Sequence, residues 1–473
     1  MSDYGLIVDG EKIATDDTFP VTNPATEEIV AQCPFATREQ LNSAVRAAGK
    51  AFKSWSRVSD AERAAVCGRM AEVITENAEE LAQILTQEQG KPLNGPGSRF
   101  ELGGASAWAG YAGTLSLPDK VIQDDETSRI VQTRKPIGVV GSITPWNWPL
   151  MIAIWHVVPA IRAGNTVVIK PSPYTPLSTL RMVELLNTVL PPGVLNCVTG
   201  EDELGQWMTE HEGIQKIIFT GSVNTGKKVM GSSADSLKRL TLELGGNDAG
   251  IVLDDADPAS VAPGIIQGAF INNGQTCAAL KRLYVHESMY DALCDELVGQ
   301  LAGTVMGNGL DEDTNQGPIA NRMQFDRVVE LLDDAKAQGG RILSGGEVPD
   351  QPGYFVPYTL IADVSDGTRV VDEEQFGPLL PIIKYKDLDD AIARANGLEV
   401  GLGGSVWSSN VDRASEVAAQ LECGTAWVNS HGGISPNVPF GGVKCSGIGV
   451  EFGEEGLQEY TTIQVVNVSK AAA

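Results

Sequence analysis

Four short stretches of this 473-residue chain combine residue types and spacings suited to chemistry. In Asn273-Gly274-Gln275-Thr276-Cys277-Ala278 a glycine opens the backbone beside a thiol. Such a thiol can serve as a nucleophile if it is accessible and its environment favours the thiolate; the competing reading is a small core residue, the usual fate of a free cysteine. In Pro145-Trp146-Asn147-Trp148-Pro149 two prolines restrict the backbone on either side of an amide. An amide held in that way suits an oxyanion hole, or else simply caps a rigid turn. Glu243-Leu244-Gly245-Gly246 ends a β-branched run with a carboxylate next to a flexible pair, either a general base or a solvated strand end. Phe219-Thr220-Gly221-Ser222 leaves a strand-like run and enters a helical one, where hydroxyls and free N–H groups can hold a phosphate.

The elements that must position these groups follow from hydrophobic periodicity. Thr37-Arg-Glu-Gln40 fits a capping box ahead of Leu41, Ala44, Val45, Ala48 and Phe52, and Asp60 is placed to cap a second amphipathic run ending near Gly90. Residues 121–136 form a polar β-ribbon. From residue 137 onward, strand-like runs at 138–143, 166–169, 194–198, 216–219 and 239–242 alternate with helical stretches, the last of them at 226–234. A second alternating series runs from 249 to 428, and 460–468 is again strand-like. Strands alternating with helices at this spacing predict parallel, doubly wound α/β sheets. The expected division is a cofactor-binding domain (1–120 and 137–243), a catalytic domain (244–445), and an assembly ribbon with the C-terminal strand (121–136 and 446–473).

Composition excludes several classes. Asp plus Glu number 61 against 35 Lys plus Arg, a net charge of −26. Nucleic acid and anionic membranes both need clustered cations, so neither is an expected partner. The seven cysteines are odd in number and contain no CxxC, which reads as reduced thiols rather than a disulfide framework. Six of them lie in apolar patterns and are expected to be structural. The four histidines show no metal-ligand spacing, so no metal is expected. The N-terminal segment has no basic and apolar leader pattern, and the 137–161 stretch is broken by Pro145, Asn147, Pro149, His156 and Pro159. A soluble cytoplasmic protein is the expectation.

Taken together, the motifs resemble the NAD(P)-dependent aldehyde dehydrogenase superfamily across nearly the whole chain. Seven occur in order: PWNWP at 145–149, Lys170-Pro-Ser, FTGS at 219–222, ELGGN at 243–247, GQTC at 274–277, Glu374-Gln-Phe-Gly-Pro378, and PFGGVKCSG at 439–447. The resemblance implies Cys277 as the nucleophile that forms a thiohemiacetal and then a thioester, Asn147 as oxyanion donor, and Glu243 as the base for hydrolysis. It implies Lys170, Gly221, Ser222, Gly246, Glu374, Phe376, Trp146 and Thr144 as the cofactor-binding set. Pro173 stands where many NAD-preferring members carry a glutamate that repels a 2′-phosphate, so NAD is expected with NADP left open. His156 replaces a lysine implicated in proton relay and is paired in this reading with Glu451; a satisfied core histidine is the alternative. Trp148, Trp155, Ile271, Phe440 and His431 are expected along the substrate tunnel, with Ile434 nearby, which favours apolar or aromatic aldehydes. The other functional readings are a CoA-acylating dehydrogenase, a thiol hydrolase acting through Cys277 that leaves Lys170, Ser222 and Glu374 idle, and a non-catalytic relative. Sheet edges at the two ribbons imply a homodimer or homotetramer.

Overall fold

The computed structural model describes residues 4–470. An eight-stranded sheet is built around five parallel strands in the spatial order Leu195–Cys197, Thr166–Lys170, Val139–Ile143, Lys216–Thr220 and Arg239–Glu243. Thr166–Lys170, Val139–Ile143 and Lys216–Thr220 are buried throughout, as expected for strands covered on both faces. Helices Asp60–Glu76, Pro149–Arg162 and Leu177–Leu186 cover one face. Helices Arg38–Trp55, Asp202–Glu210 and Val223–Ser233 cover the other. The first strand of this series, Val139–Ile143, lies beside the fourth, Lys216–Thr220, so the winding reverses between them. At such a switch point the carboxyl ends of the strands open a crevice.

A seven-stranded sheet runs Arg341–Ser344, Thr359–Val364, Leu379–Tyr385, Leu280–His286, Asp248–Val252, Gly403–Trp407 and Thr425–Val428, parallel except at its first strand. Only the 244–247 turn separates it from Arg239–Glu243 of the first sheet. The expected α/β architecture is therefore present. In the third sheet, Thr461–Ser469 pairs antiparallel with Ser128–Pro136 over its full nine residues, and Lys120–Asp124 lies on the far side.

Several local expectations are corrected. The second helix is capped by Ser59, whose Oγ accepts from the Glu62 N–H at 3.2 Å, while Asp60 pairs with Arg162 at 2.6 Å. That helical run breaks at Asn77 and resumes as Ala78–Gln89. The helix expected from 226 begins at Val223, because Ser222 caps it. Residues ahead of the first helix form strands: Leu6–Val8 and Glu11–Ile13 extend the large sheet, and Thr18–Thr22 pairs with Ile29–Pro34. Strands of three to six residues leave little periodicity to read. Gly447–Ile448, grouped by sequence with the C-terminal segment, pairs with Arg239–Glu243 at the edge of the large sheet.

Candidate active site

The carboxyl ends of Val139–Ile143 and Arg239–Glu243 face the loop that enters Leu280–His286, and this junction gathers the chemistry-bearing residues. Pro149 starts its helix at the first position, a place where its missing N–H costs nothing. Just ahead of it, one N–H of the Asn147 amide donates to the Gln275 carbonyl at 2.9 Å. The Asn147 backbone carbonyl accepts from Asn272 Nδ2 at 2.8 Å and Lys91 Nζ at 2.7 Å. Asn272, Asn273 and Gly274 all have left-handed backbones, with φ of 50°, 59° and 71°. Asparagine tolerates that region better than most residues, and Gly274 is obligatory because a Cβ there would lie 2.2 Å from the Gly377 carbonyl oxygen. This strained turn delivers Cys277, consistent with strain being stored where function needs a fixed geometry.

Lys91 and Glu101 were not singled out from sequence, yet they hold the junction together. They form an ion pair at 2.5 Å with both side chains almost fully buried. Glu101 also accepts the Leu150 and Met151 N–H groups at 2.8 and 3.1 Å, capping the helix that follows Asn147. Lys91 Nζ further lies 3.9 Å from the centre of the Trp148 ring. Neither residue sits in a motif; only tertiary contact reveals them.

Burial pushes the Cys277 thiol up to about 12, with the Lys281 ammonium opposing and the carboxylates of Glu374, Asp248 and Glu243 reinforcing the shift. Lys281 Nζ donates to the Cys277 carbonyl at 2.7 Å and pairs with Glu374. Alkylation of Cys277 by iodoacetamide is therefore expected to accelerate about tenfold per pH unit from pH 7 to 10, since the thiolate fraction tracks hydroxide below the thiol pKa. Peptide mass spectrometry follows it; a plateau below pH 9 would contradict a thiol raised by burial.

Glu243 is buried, and neither carboxylate oxygen has a hydrogen-bond partner. Burial, and then the neighbouring Glu451, push its carboxyl well above the usual range. Glu451 lies 3.3 Å from His156 Nε2. His156 also contacts the Thr220 hydroxyl at 3.0 Å and the Ser142 hydroxyl at 2.9 Å. Glu451 and Phe440 exchange both backbone hydrogen bonds, tying the Glu451 segment to the junction.

Of the expected cofactor residues, Lys170 lines an adjoining groove, and the others sit at the ends of the neighbouring strands and turns. The Ser222 hydroxyl caps Val223–Ser233 by accepting from the Thr225 N–H at 3.2 Å. Gly221 donates its N–H to the Glu243 carbonyl at 3.0 Å, which ties the cap to the carboxylate strand. Lys170 borders a groove of about 650 Å³ that also takes in Asp202, Thr225 and Lys228. Burial lowers its ammonium to about 8, opposed chiefly by Asp202. Thr144 donates its backbone N–H to the Lys170 carbonyl at 3.1 Å, and its buried hydroxyl has no partner. Glu374 accepts from the Gly246 N–H at 3.3 Å, and Trp146 meets Phe376 edge-on at 5.2 Å. A Cβ on Gly246 would meet Asp248, Leu402 and the Cys277 carbonyl oxygen within 3.0 Å, so glycine there lets the 244–247 turn pack directly against the Cys277 loop. A helix terminus, a buried cation and an unengaged hydroxyl together suit a dinucleotide.

Beside the thiol is an apolar cage. Trp148, Trp155 and Ile271 pack in one cluster and Phe440 and Cys277 in another, and Ile434 and Phe452 belong to both. Phe452 and Trp108 went unnoticed in the sequence because isolated aromatics there look like ordinary core. His431 reaches this cage through one ring. Its side chain is fully buried, 2.9 Å from the Ser405 hydroxyl and 3.6 Å from the Asp248 carboxylate, and it packs against Trp427 at the back of the cluster that holds Phe440 and Cys277. Of the other six cysteines, Cys423 and Cys445 are half-buried and the remaining four buried.

A doubly wound sheet whose switch-point crevice adjoins a half-buried thiol, an amide donor and an unpaired carboxyl defines a class of cofactor-using oxidoreductases. The sequence matches the aldehyde dehydrogenase family over residues 12–466. It is 36% identical over 466 residues, 98% of each chain, to aldehyde dehydrogenase LUC3 of Fusarium sp. Its fold superposes on the NAD+ complex of a Bacillus cereus aldehyde dehydrogenase with TM-score 0.95 at 35% identity, covering 98% of this chain and 96% of that one. A NAD-dependent aldehyde dehydrogenase from Sinorhizobium meliloti gives TM-score 0.95 at 35% identity over 99% and 95% of the two chains. The chain belongs to the aldehyde dehydrogenase family, oxidoreductases that convert aldehydes to acids. Among the described residues no helix is long and apolar enough to cross a membrane.

Proposed function

We propose that this protein oxidises a neutral apolar or aromatic aldehyde to its carboxylic acid with NAD+, through an acyl group carried on Cys277. The observation that carries this reading is the convergence of the Asn147 amide, the Glu243 carboxyl and the Cys277 loop at one junction. Cys277 Sγ attacks the aldehyde carbonyl, and its proton leaves through the buried carboxyl region. Because only one N–H of the Asn147 amide is needed to hold Gln275, the other is free to meet the oxyanion together with the Cys277 N–H. The nicotinamide cofactor, when bound, supplies the hydride acceptor. Glu243 then takes a proton from the water that cleaves the thioester, releasing the acid and restoring the thiol. His156 and Glu451, in contact at 3.3 Å, pass that proton away from Glu243.

Lys170, Gly221, Ser222 and Thr144 hold the adenosine and pyrophosphate portion in this reading, and Glu374, Phe376, Trp146 and Gly246 the nicotinamide portion. The NAD+ complexes of relatives support NAD as the cofactor. Pro173 supplies no charge against a 2′-phosphate, so NADP+ is tested in parallel. The test is absorbance at 340 nm with NAD+ and NADP+ across an aldehyde panel, with and without coenzyme A, and identification of the product. Free acid formed without coenzyme A supports the hydrolytic reaction; an absolute need for coenzyme A supports the acylating one.

Assembly as a homodimer or homotetramer through the Thr461–Ser469 ribbon belongs to the same proposal, as does a cytoplasmic location. Val121, Ile122, Ile463, Val465, Val466 and Val468 of that ribbon are each about half exposed, an apolar band that a second copy would cover. Light scattering is expected to give two or four times the 50.2 kDa chain mass, and a lone 50.2 kDa species would refute it.

A further inference from the structure

Lys281 stands four residues beyond Cys277, near the start of the strand Leu280–His286 and outside all seven motifs. Its side chain is 3% exposed, and a buried ammonium is tolerated only where its charge and its hydrogens are met. Three acceptors match its three N–H bonds. Nζ donates to the Cys277 carbonyl at 2.7 Å, to the Gly246 carbonyl at 3.2 Å and to Glu374 Oε1, with which it is paired. The Phe376 ring, its centre 5.4 Å from Nζ, also faces the ammonium. These acceptors belong to three separate segments: the nucleophile loop, the 244–247 turn and the stretch that carries Glu374 and Phe376.

Glu374 is the end of this arrangement that a ligand can reach, since its side chain is 28% exposed. Oε1 is held twice, by Lys281 and by the Gly246 N–H at 3.3 Å. Oε2 lies against Gly245, where a Cβ would collide with it. One oxygen is therefore fixed, and the other is placed to accept from a ligand hydroxyl. Phe376, two residues on, has a left-handed backbone with φ 47°, the kind of strain that persists only where the surroundings over-determine it.

The titratable groups that face the Glu374 carboxylate are Lys281, Asp248 and Cys277. Burial raises the carboxyl, Lys281 is the first group to oppose that, and Asp248 reinforces it. At the Cys277 thiol, too, Lys281 is the cation that works against burial. With the ammonium removed, Glu374 would keep its proton to higher pH. A neutral acid is a weaker acceptor, because hydrogen bonds to an ionised group are roughly twice as strong.

We infer that Lys281 is a positioning residue for both halves of the reaction: it presents the Glu374 carboxylate to a ribose hydroxyl of the nicotinamide cofactor and fastens the Cys277 loop to that carboxylate. The inference rests on the proposed placement of the cofactor at Glu374 and deepens it.

The experiment measures the dissociation constant of NAD+ by calorimetry from pH 6 to pH 9, without aldehyde. Wild type, Lys281→Met, Glu374→Gln and Lys281→Met/Glu374→Gln are compared. Lys281→Met is expected to weaken NAD+ binding about tenfold at pH 7 and to regain most of it by pH 9 as Glu374 ionises, while wild type varies by less than about threefold. The double variant is expected to bind weakly at every pH. In Lys281→Met, alkylation of Cys277 by iodoacetamide without cofactor is expected to slow at least about threefold at pH 8. A residue that merely fills space would not create the pH dependence. Lys281→Gln takes its place should Lys281→Met not fold. The inference is overturned if the variant binds NAD+ within about twofold of wild type at pH 7, if its weakened binding stays flat with pH, or if the pH dependence persists in the double variant. Alkylation that does not slow would overturn the tie to Cys277. Glu374→Gln binding NAD+ as tightly as wild type, or wild type binding none, would instead overturn the placement of the cofactor itself.

Discussion

Cys277→Ala is expected to remove aldehyde-dependent cofactor reduction by at least about a thousandfold, the scale seen when the nucleophile of a covalent mechanism is deleted. The change removes a single sulfur from a site formed largely by backbone: the Asn272–Gly274 turn, the Asn147 amide and the Lys91–Glu101 pair all remain. The melting temperature and the dissociation constant for NAD+ should therefore change little. Three measurements check this: absorbance at 340 nm, calorimetry and fluorescence titration. Residual turnover above a few per cent would mean that the acyl group is not carried on this thiol.

Glu243→Gln separates two halves of the reaction. The substitution keeps size and shape while removing the group able to take a proton from water. A burst of about one reduced cofactor per active site is expected to survive, and steady turnover to fall by about 10²- to 10³-fold, within the range for a lost general base. Stopped-flow absorbance resolves the two phases. Equal loss of burst and steady rate would show that Glu243 also deprotonates Cys277, and unchanged turnover would move the base elsewhere, with Glu451 the neighbouring candidate. The same variant reports on stability. The folded Glu243 carboxyl is raised by burial, so the protein favours its neutral form; its contribution is intact at acid pH and is lost as pH rises above the ordinary carboxylate range. Wild type should lose melting temperature relative to Glu243→Gln with increasing pH, and the opposite trend would contradict the raised carboxyl.

Much of the architecture was readable because buried parallel strands are short β-branched runs and the helices between them carry a clear apolar period. Lys216–Thr220 (KIIFT) and Thr166–Lys170 (TVVIK) are visible in that way. The first 34 residues were not, since strands such as Leu6–Val8 acquire their identity from pairing with Cys197, far along the chain. Helix starts were displaced where two capping residues competed: Ser59 won over Asp60 because Arg162, distant in sequence, engages the aspartate. Trp108 and Phe452 carry no local signal, and the contacts of His431 with the Ser405 hydroxyl and the Trp427 ring join residues distant in sequence.

By itself the sequence determined the alternation of strands and helices, the order of the seven motifs and hence the family, and the presence of a thiol, an amide and a carboxylate at turns between elements. Those properties are local or collinear, so a linear string can hold them. Only the tertiary structure decided that the ends of two separate sheets meet, that Lys91 and Glu101 anchor Asn147 from outside any motif, and that both Glu243 carboxylate oxygens are buried without a partner. Burial and the pairing of polar groups are set by neighbours that no sequence spacing specifies, and at this site those are the quantities that govern protonation and substrate choice.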